Sequence, residues 1–502
     1  MMDTAQPGTE RCSSGIAGLD RILNGGFPRR RLFLVRGRPG TGKTTLGLQF
    51  LLDGLANGES GLYITLSETR EELELVAHSH GWSLDGLQLI DLSAVEQQLK
   101  PESQTTLLHP SEMELARTSA VLQSVIEDRR PHRIVFDSLA ELRLMAQNPL
   151  RYRRQILALK TFLASHRATV LMLDDQLESN DHQLESIAHG VVDLEYLRPD
   201  FGAERRRISI AKLRGVRFVG GYHDYVITTG GLVVYPRLVA AEYRSKPLSG
   251  QQRSGVAGLD EMLHGGLDIG TNTLLMGPAG TGKSTIAAQF AVQSAVEGRR
   301  AALFAFDESV ATLVARANGL GMPLAAYMAN DLVHVQRVDP GELSPGQFTA
   351  LIQSMVEQRD IATLVIDSLN GFLNAMPDER FLIIQMHELL SYLGNRGITT
   401  VMTLAEHGLM GKITAPVDLS YLADTVILLR YFEHAGEVRK GISVMKKRAG
   451  SHEDTIREFQ LVSQNGLVVG RPLHAFQNVL TGAPVFVGGA DQMLGTGDDT
   501  RA

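Results

Sequence analysis

Two stretches of this 502-residue chain have the residue types and spacing to hold the phosphates of a nucleotide. They are Gly37-Arg38-Pro39-Gly40-Thr41-Gly42-Lys43-Thr44-Thr45 and Gly277-Pro278-Ala279-Gly280-Thr281-Gly282-Lys283-Ser284-Thr285. Both fit G-x-x-x-x-G-K-[ST], in which glycines let backbone N–H groups wrap the phosphates. Lys43 and Lys283 supply a cation for the β- and γ-phosphates, and the hydroxyls of Thr44 and Ser284 suit Mg²⁺. A helix opening after each loop adds the partial positive charge of its N-terminus. ATP and Mg²⁺ are the expected cofactors, at two sites.

Carboxylates follow each loop at matching places. Asp137 and Asp367 each end an apolar strand and precede a serine, the arrangement that orders Mg²⁺ beside a phosphate loop. Glu68 and Glu308 stand at the tip of the next strand after the loop, where a carboxylate can orient or deprotonate the attacking water. The second half places Asp307 before its glutamate, and the first half has Ser67 there. Lys212 and Arg214 point to one face of a strand and recur in part as Lys446 and Arg448. They read either as a charged edge that discourages stray strand pairing or as cations reaching a neighbouring subunit's γ-phosphate. The recurrence favours the second reading.

The elements that must position these residues are written twice. Gly15-Ile16-Ala17-Gly18-Leu19-Asp20 returns as Gly255-Val256-Ala257-Gly258-Leu259-Asp260, 240 positions on, and both loops keep that spacing. From Asp137 and Asp367 onward the offset is 230, so the slip falls between, near 101–111. Thr169-Val170-Leu171-Met172-Leu173 is expected to match Thr400-Val401-Met402-Thr403-Leu404. Such a period is a whole-domain duplication. Short β-branched runs alternating with helical segments predict an α/β fold in each half, a mainly parallel twisted sheet flanked by helices with its ligand at the carboxyl ends of the strands. Residues 207–234 predict an antiparallel extension. The expected domains are 1–245 and 246–487, followed by a tail at 488–502.

With 43% hydrophobic and 21% charged residues, the composition is that of a globular protein. The net charge of −7 and 6% aromatic content give no basic stripe or stacking groove, so nucleic acid is not an expected partner. One cysteine, Cys12, excludes an internal disulfide. No apolar run approaches the roughly 20 residues of a membrane span and no signal sequence opens the chain, so a cytoplasmic protein without membrane contact is expected.

Taken together, the G-[IV]-x-G-L-D openings, both loops, the carboxylates after the second strand, both D-S-L strands and Lys212-Leu213-Arg214-Gly215 resemble the KaiC family, the ATPases and autokinases of the cyanobacterial clock and their bacterial relatives. The resemblance implies two tandem RecA-like P-loop NTPase domains and a homo-hexamer with ATP between subunits, where Lys212, Arg214, Lys446 and Arg448 act on the neighbour's nucleotide. It implies hydrolysis, a signalling role and a signalling protein partner. The family carries two adjacent glutamates after its second strand, the first serving as base. Here Ser67-Glu68 and Asp307-Glu308 depart from that, so hydrolysis in the first domain either rests on Glu68 or is weak. The family phosphorylates an adjacent Ser-Thr pair in its second domain. Ser420-Tyr421 stands there, leaving Ser420 as the candidate phosphosite for a serine autokinase, or an ordinary capping serine. A nucleotide-gated hexameric scaffold with little catalysis, and a RecA-like DNA-dependent motor, are the alternative functions.

Overall fold

The computed structural model describes residues 10–92, 110–146, 148–175, 182–198, 202–243, 249–373, 379–406, 420–434, 436–474, 476–477, 479 and 485–486. The 488–502 tail lies outside them. The chain forms two compact units, Met1–Arg237 and Leu238–Ala502.

In the first unit, six strands run parallel: β1 (Leu32–Gly37), β2 (Gly61–Thr65), β3 (Gln88–Asp91), β4 (Arg133–Asp137), β5 (Thr169–Asp175) and β6 (Gly190–Leu197). Three antiparallel strands extend the sheet: β7 (Arg205–Leu213), β8 (Tyr222–Thr228) and β9 (Gly231–Tyr235). The spatial order is β9-β8-β7-β6-β1-β5-β4-β2-β3. β1, Leu-Phe-Leu-Val-Arg-Gly, is buried except at Arg36, as a central parallel strand covered on both faces must be. One face packs Phe27, Leu46, Phe50 and Leu73, and the other packs Leu122, Leu142, Tyr152 and Ile156.

The second unit repeats this with β10 (Asn272–Gly277), β11 (Arg300–Ala305), β12 (Val333–Arg337), β13 (Ile361–Asp367), β14 (Thr399–Ala405), β15 (Thr425–His434), β16 (Glu437–Lys447), β17 (Arg457–Val462) and β18 (Gly466–Pro472). Their order is β12-β11-β13-β14-β10-β15-β16-β17-β18, the same topology read from the other edge. Leu238 and Ala240 join the core of this unit, and the Ala240 N–H donates to Glu388 at 2.8 Å.

The register corrects one expected match. Val170 sits opposite Leu32 and Thr400 opposite Asn272, so Thr169 corresponds to Thr399 rather than Thr400. Both strands open on threonine and valine and run on through buried apolar residues, so composition at their start cannot fix a one-residue slip, whereas pairing can, because the slip would turn every side chain to the other face.

Among the described residues, no helix is long and apolar enough to cross a membrane.

Candidate functional site

Each phosphate loop joins a central strand to a helix. Helix α1 (Lys43–Ala56) opens at Gly42 with φ 87°, and its counterpart Lys283–Val296 opens at Gly282 with φ 111°. Neither has a side-chain cap, so the first-turn N–H groups remain available to an anion. Gly40, at φ 83°, faces open space, where an added Cβ meets nothing within 4 Å. Thr41 and Thr281 are buried and fold their hydroxyls onto the loop carbonyls of Arg38 and Pro278, at 2.8 and 2.9 Å. The antiparallel extension braces the first loop: the Tyr225 hydroxyl donates to the Thr41 carbonyl at 2.7 Å.

The loop lysines lie back over their own loops. Lys43 Nζ donates to Gly37 O at 2.7 Å and pairs with Asp175 at 2.7 Å. Lys283 Nζ donates to Gly277 O and Pro278 O, both at 2.8 Å, and burial lowers its pKa. The residue level with Asp175 in the second unit is Ala405, so Lys283 has no matching acid there.

The expected metal ligands meet in both units. Thr44 Oγ1 donates to Asp137 at 3.1 Å, and Ser284 Oγ donates to Asp367 at 3.0 Å. One hydroxyl and one carboxylate per loop are hard oxygen donors, and they fit Mg²⁺ completed by phosphate and water. Each aspartate is oriented by a different third group. The buried Tyr63 hydroxyl donates to Asp137 at 2.5 Å, and Thr403 donates to Asp367 at 2.5 Å. Burial raises the Asp137 pKa despite the hydrogen bonds from Tyr63 and Thr44. The peptide bonds Asp137–Ser138 and Asp367–Ser368 are both cis.

The two catalytic candidates after the second strand have different surroundings. Ser67 and Asp307 are exposed, whereas Glu68 and Glu308 are half-buried. Burial first, then the Asp137 and Glu72 carboxylates, push the Glu68 carboxyl up to about 7. Its Oε2 is buried without a hydrogen-bond partner among the described residues. In the second unit, Arg316 pairs with Glu308 and also donates to Thr285 Oγ1 at 2.9 Å. Burial raises Glu308, while Arg316 counters that rise. Position 76, which matches Arg316, is Val76, and Thr45 instead contacts His80 Nε2 at 3.4 Å. Asp307 accepts from Ser368 Oγ at 2.5 Å.

The paired cations lie apart from their own loops. Lys212 is level with Val191 and through it with Leu34, three residues before Gly37 and two strands away. Lys446 pairs with Val426, which pairs with Leu274, in the same relation to Gly277. Lys212 Nζ is held by the Glu185 carbonyl, and Arg214 donates to Ser186 O at 2.9 Å. Lys446 Nζ donates to Ala423 O at 2.8 Å and Ser420 O at 3.2 Å, and Arg448 donates to Tyr421 O at 3.0 Å. Ser420 opens a short 3₁₀ turn, Ser420–Leu422, at this end of the sheet.

Sequence reasoning missed Tyr63, Asp175, Arg316 and Thr403. Each is a lone side chain brought to the loop by strand pairing or helix packing, and none belongs to a motif. The one signal available was the repeat itself, since all four differ between the halves.

The family described as "ATPase: KaiC" matches residues 12–239 and again 252–474. The circadian clock oscillator protein KaiC of Synechococcus elongatus is 29% identical over 481 residues, which cover 93% of this chain and 91% of that protein. The circadian clock protein KaiC3 of Synechocystis sp. is 27% identical over 501 residues, 97% of each. KaiC of Picosynechococcus sp. is 28% identical over 489 residues, 95% of this chain and 93% of that protein.

Proposed function

The chain belongs to the KaiC family of ATPases, and from that premise we propose an oligomeric, Mg²⁺-dependent ATPase whose two sites are completed by cations of a neighbouring copy. The observation that carries the reading is the place of Lys212, Arg214, Lys446 and Arg448. Set back along the sheet and tied to nearby carbonyls, they do not serve their own loops. A ring, hexameric as the family resemblance implies, presents them to the next subunit's γ-phosphate. Gly40, Thr41, Gly42, Lys43, Thr44 and Thr45 then hold one nucleotide, and Gly280, Thr281, Gly282, Lys283, Ser284 and Thr285 hold the other. Thr44 with Asp137, and Ser284 with Asp367, would hold Mg²⁺, which would supply shielding of the phosphate charge. Glu68 takes the proton of the attacking water at the first site, and Asp307 with Glu308 does so at the second. Its action is placed in the cytoplasm, in signalling, through a protein partner.

Ser420 shares its end of the sheet with Lys446, which donates to its carbonyl at 3.2 Å. Phosphate would therefore reach Ser420 from the neighbour's ATP, making the second domain a serine autokinase in trans.

One mixing experiment tests both parts. Lys283→Ala leaves the second loop without its phosphate cation, and Lys446→Ala/Arg448→Ala removes the trans cations. Mixed, the two variants are expected to release more ADP than the sum of the separate preparations. A phosphate-sized mass gain should appear on the Lys283→Ala chain and vanish when Ser420→Ala is added. No excess ADP would refute action in trans, and excess ADP without the mass gain would leave an ATPase that does not phosphorylate itself.

A further inference from the structure

The far end of the first unit's sheet, away from the phosphate loop, carries a second concentration of anion-binding groups. Three adjacent parallel strands, β1, β5 and β4, begin here. The turns before them line a cavity of about 260 Å³ with Arg29, Arg30, Arg130, Arg167, His132 and His166. This gathers four arginines in a chain whose net charge is −7.

Their states of engagement differ. Arg29 is spent on Glu59 and on the Arg11 carbonyl. Arg30 pairs with Glu10 at 3.1 Å, but both side chains are exposed, so the pair is weak and readily exchanged. The guanidinium groups of Arg130 and Arg167 have no hydrogen-bond or ion-pair partner among the described residues. His132 Nδ1 accepts from the Ser60 N–H at 3.3 Å, which assigns the neutral ring's proton to Nε2 as a further donor.

The backbone adds an independent observation. Arg30, Arg130 and Arg167 all have positive φ, at 59°, 41° and 57°. The second unit makes the same three turns with Gly270, Asp360 and Gly397, at φ 78°, 50° and 75°. Glycine adopts this region freely and aspartate tolerates it, whereas arginine is strained there. The same topology is thus made with relaxed residues in one unit and with three arginines in the other. A merely solvated surface would not require a large cation at each strained position.

We propose that this cavity binds a small molecule or ion bearing two or more phosphate groups, at a site separate from the ATP loops. Guanidinium forks match phosphate oxygens two at a time, and three of them on three turns span more than one phosphate. The volume lies just below the range of drug-sized pockets, which favours a small polyanion over a large ligand.

The test uses the full chain with both loops filled by Mg²⁺ and a non-hydrolysable ATP analogue, titrated calorimetrically with inorganic pyrophosphate at low salt. One pyrophosphate per chain is expected. Arg30→Gly/Arg130→Asn/Arg167→Gly should weaken it by at least about tenfold, since each charge-assisted hydrogen bond lost is worth that much or more. These residues suit positive φ, so the melting temperature should hold or rise. Arg130→Lys/Arg167→Lys, which keeps the charge but not the fork, should weaken binding by a smaller factor. The proposal is overturned if wild type takes up no pyrophosphate, if the triple variant binds it equally well, or if a single-stranded oligonucleotide alone binds through these arginines.

Discussion

Replacing Glu68 by glutamine is expected to slow ATP hydrolysis at the first loop by about 10²–10⁴-fold, the usual contribution of a positioned general base. Nucleotide binding should stay within a few-fold. Ser67 is exposed and has no carboxylate, so no second acid stands at this strand tip to take the proton. Glu68 is half-buried, its carboxyl is pushed to about 7 chiefly by burial, and one of its oxygens has no partner among the described residues. Those are the properties of a base poised near neutral pH rather than of a solvated surface acid. The measurement is ADP release by Lys283→Ala against Lys283→Ala/Glu68→Gln, which isolates the first site. Equal rates would assign the proton to another group. Glu308→Gln should cost less at the second site, because Asp307 remains beside it.

The second large effect concerns folding. Arg133 is 1% exposed, yet it begins a strand in the middle of the sheet. Its guanidinium pairs with Glu59 at 2.5 Å and Asp53 at 3.0 Å, donates to Phe50 O at 2.7 Å and Ser13 O at 2.9 Å, and lies over the Phe50 ring at 4.8 Å. Gly54 makes room for it, since a Cβ there would stand 2.5 Å from Arg133 Cδ. Burial alone would raise the Glu59 carboxyl, but its arginine partners hold it below the usual range. In the second unit, Thr363 fills this place and its hydroxyl meets Gln252 at 3.3 Å, while Arg299 reaches the same Gln252 oxygen from outside at 2.7 Å. Copying that choice, as Arg133→Thr, should destabilise the first unit by about 3–5 kcal/mol, because acids evolved around a cation lose it. Urea unfolding followed by hydrogen exchange in β4 would read the loss, and a change below about 1 kcal/mol would show the network to be dispensable.

The phosphate loops, the strand-end aspartates and the duplication were legible because each depends on a few residues at fixed spacing within one strand–loop–helix unit. The antiparallel extension was legible for the same local reason. Arg133 was not: a charged residue opening an apolar run reads as a strand end at the surface, and only long-range packing encloses it with Asp53 and Glu59. Nor does arginine announce a left-handed backbone at Arg30, Arg130 or Arg167. Gly270 and Gly397 announce it in the repeat, so the information lay in the comparison of the halves. Strand offset failed by one residue at Thr169 because neighbouring β-branched positions are interchangeable in a run buried on both faces.

The pairing of Lys43 with Asp175 gives the first loop an internal rival for incoming phosphate, and Ala405 spares the second loop that rivalry. As nucleotide concentration rises, the two loops are then expected to fill in sequence, second before first, so that one chain grades cellular energy charge into empty, half-filled and full states. Titrating a fluorescent ATP analogue into Lys43→Ala and Lys283→Ala separately would give the two midpoints. Coincident midpoints would reduce the pair to a bystander, whereas separated ones would make a single carboxylate the setting of the molecule's upper threshold.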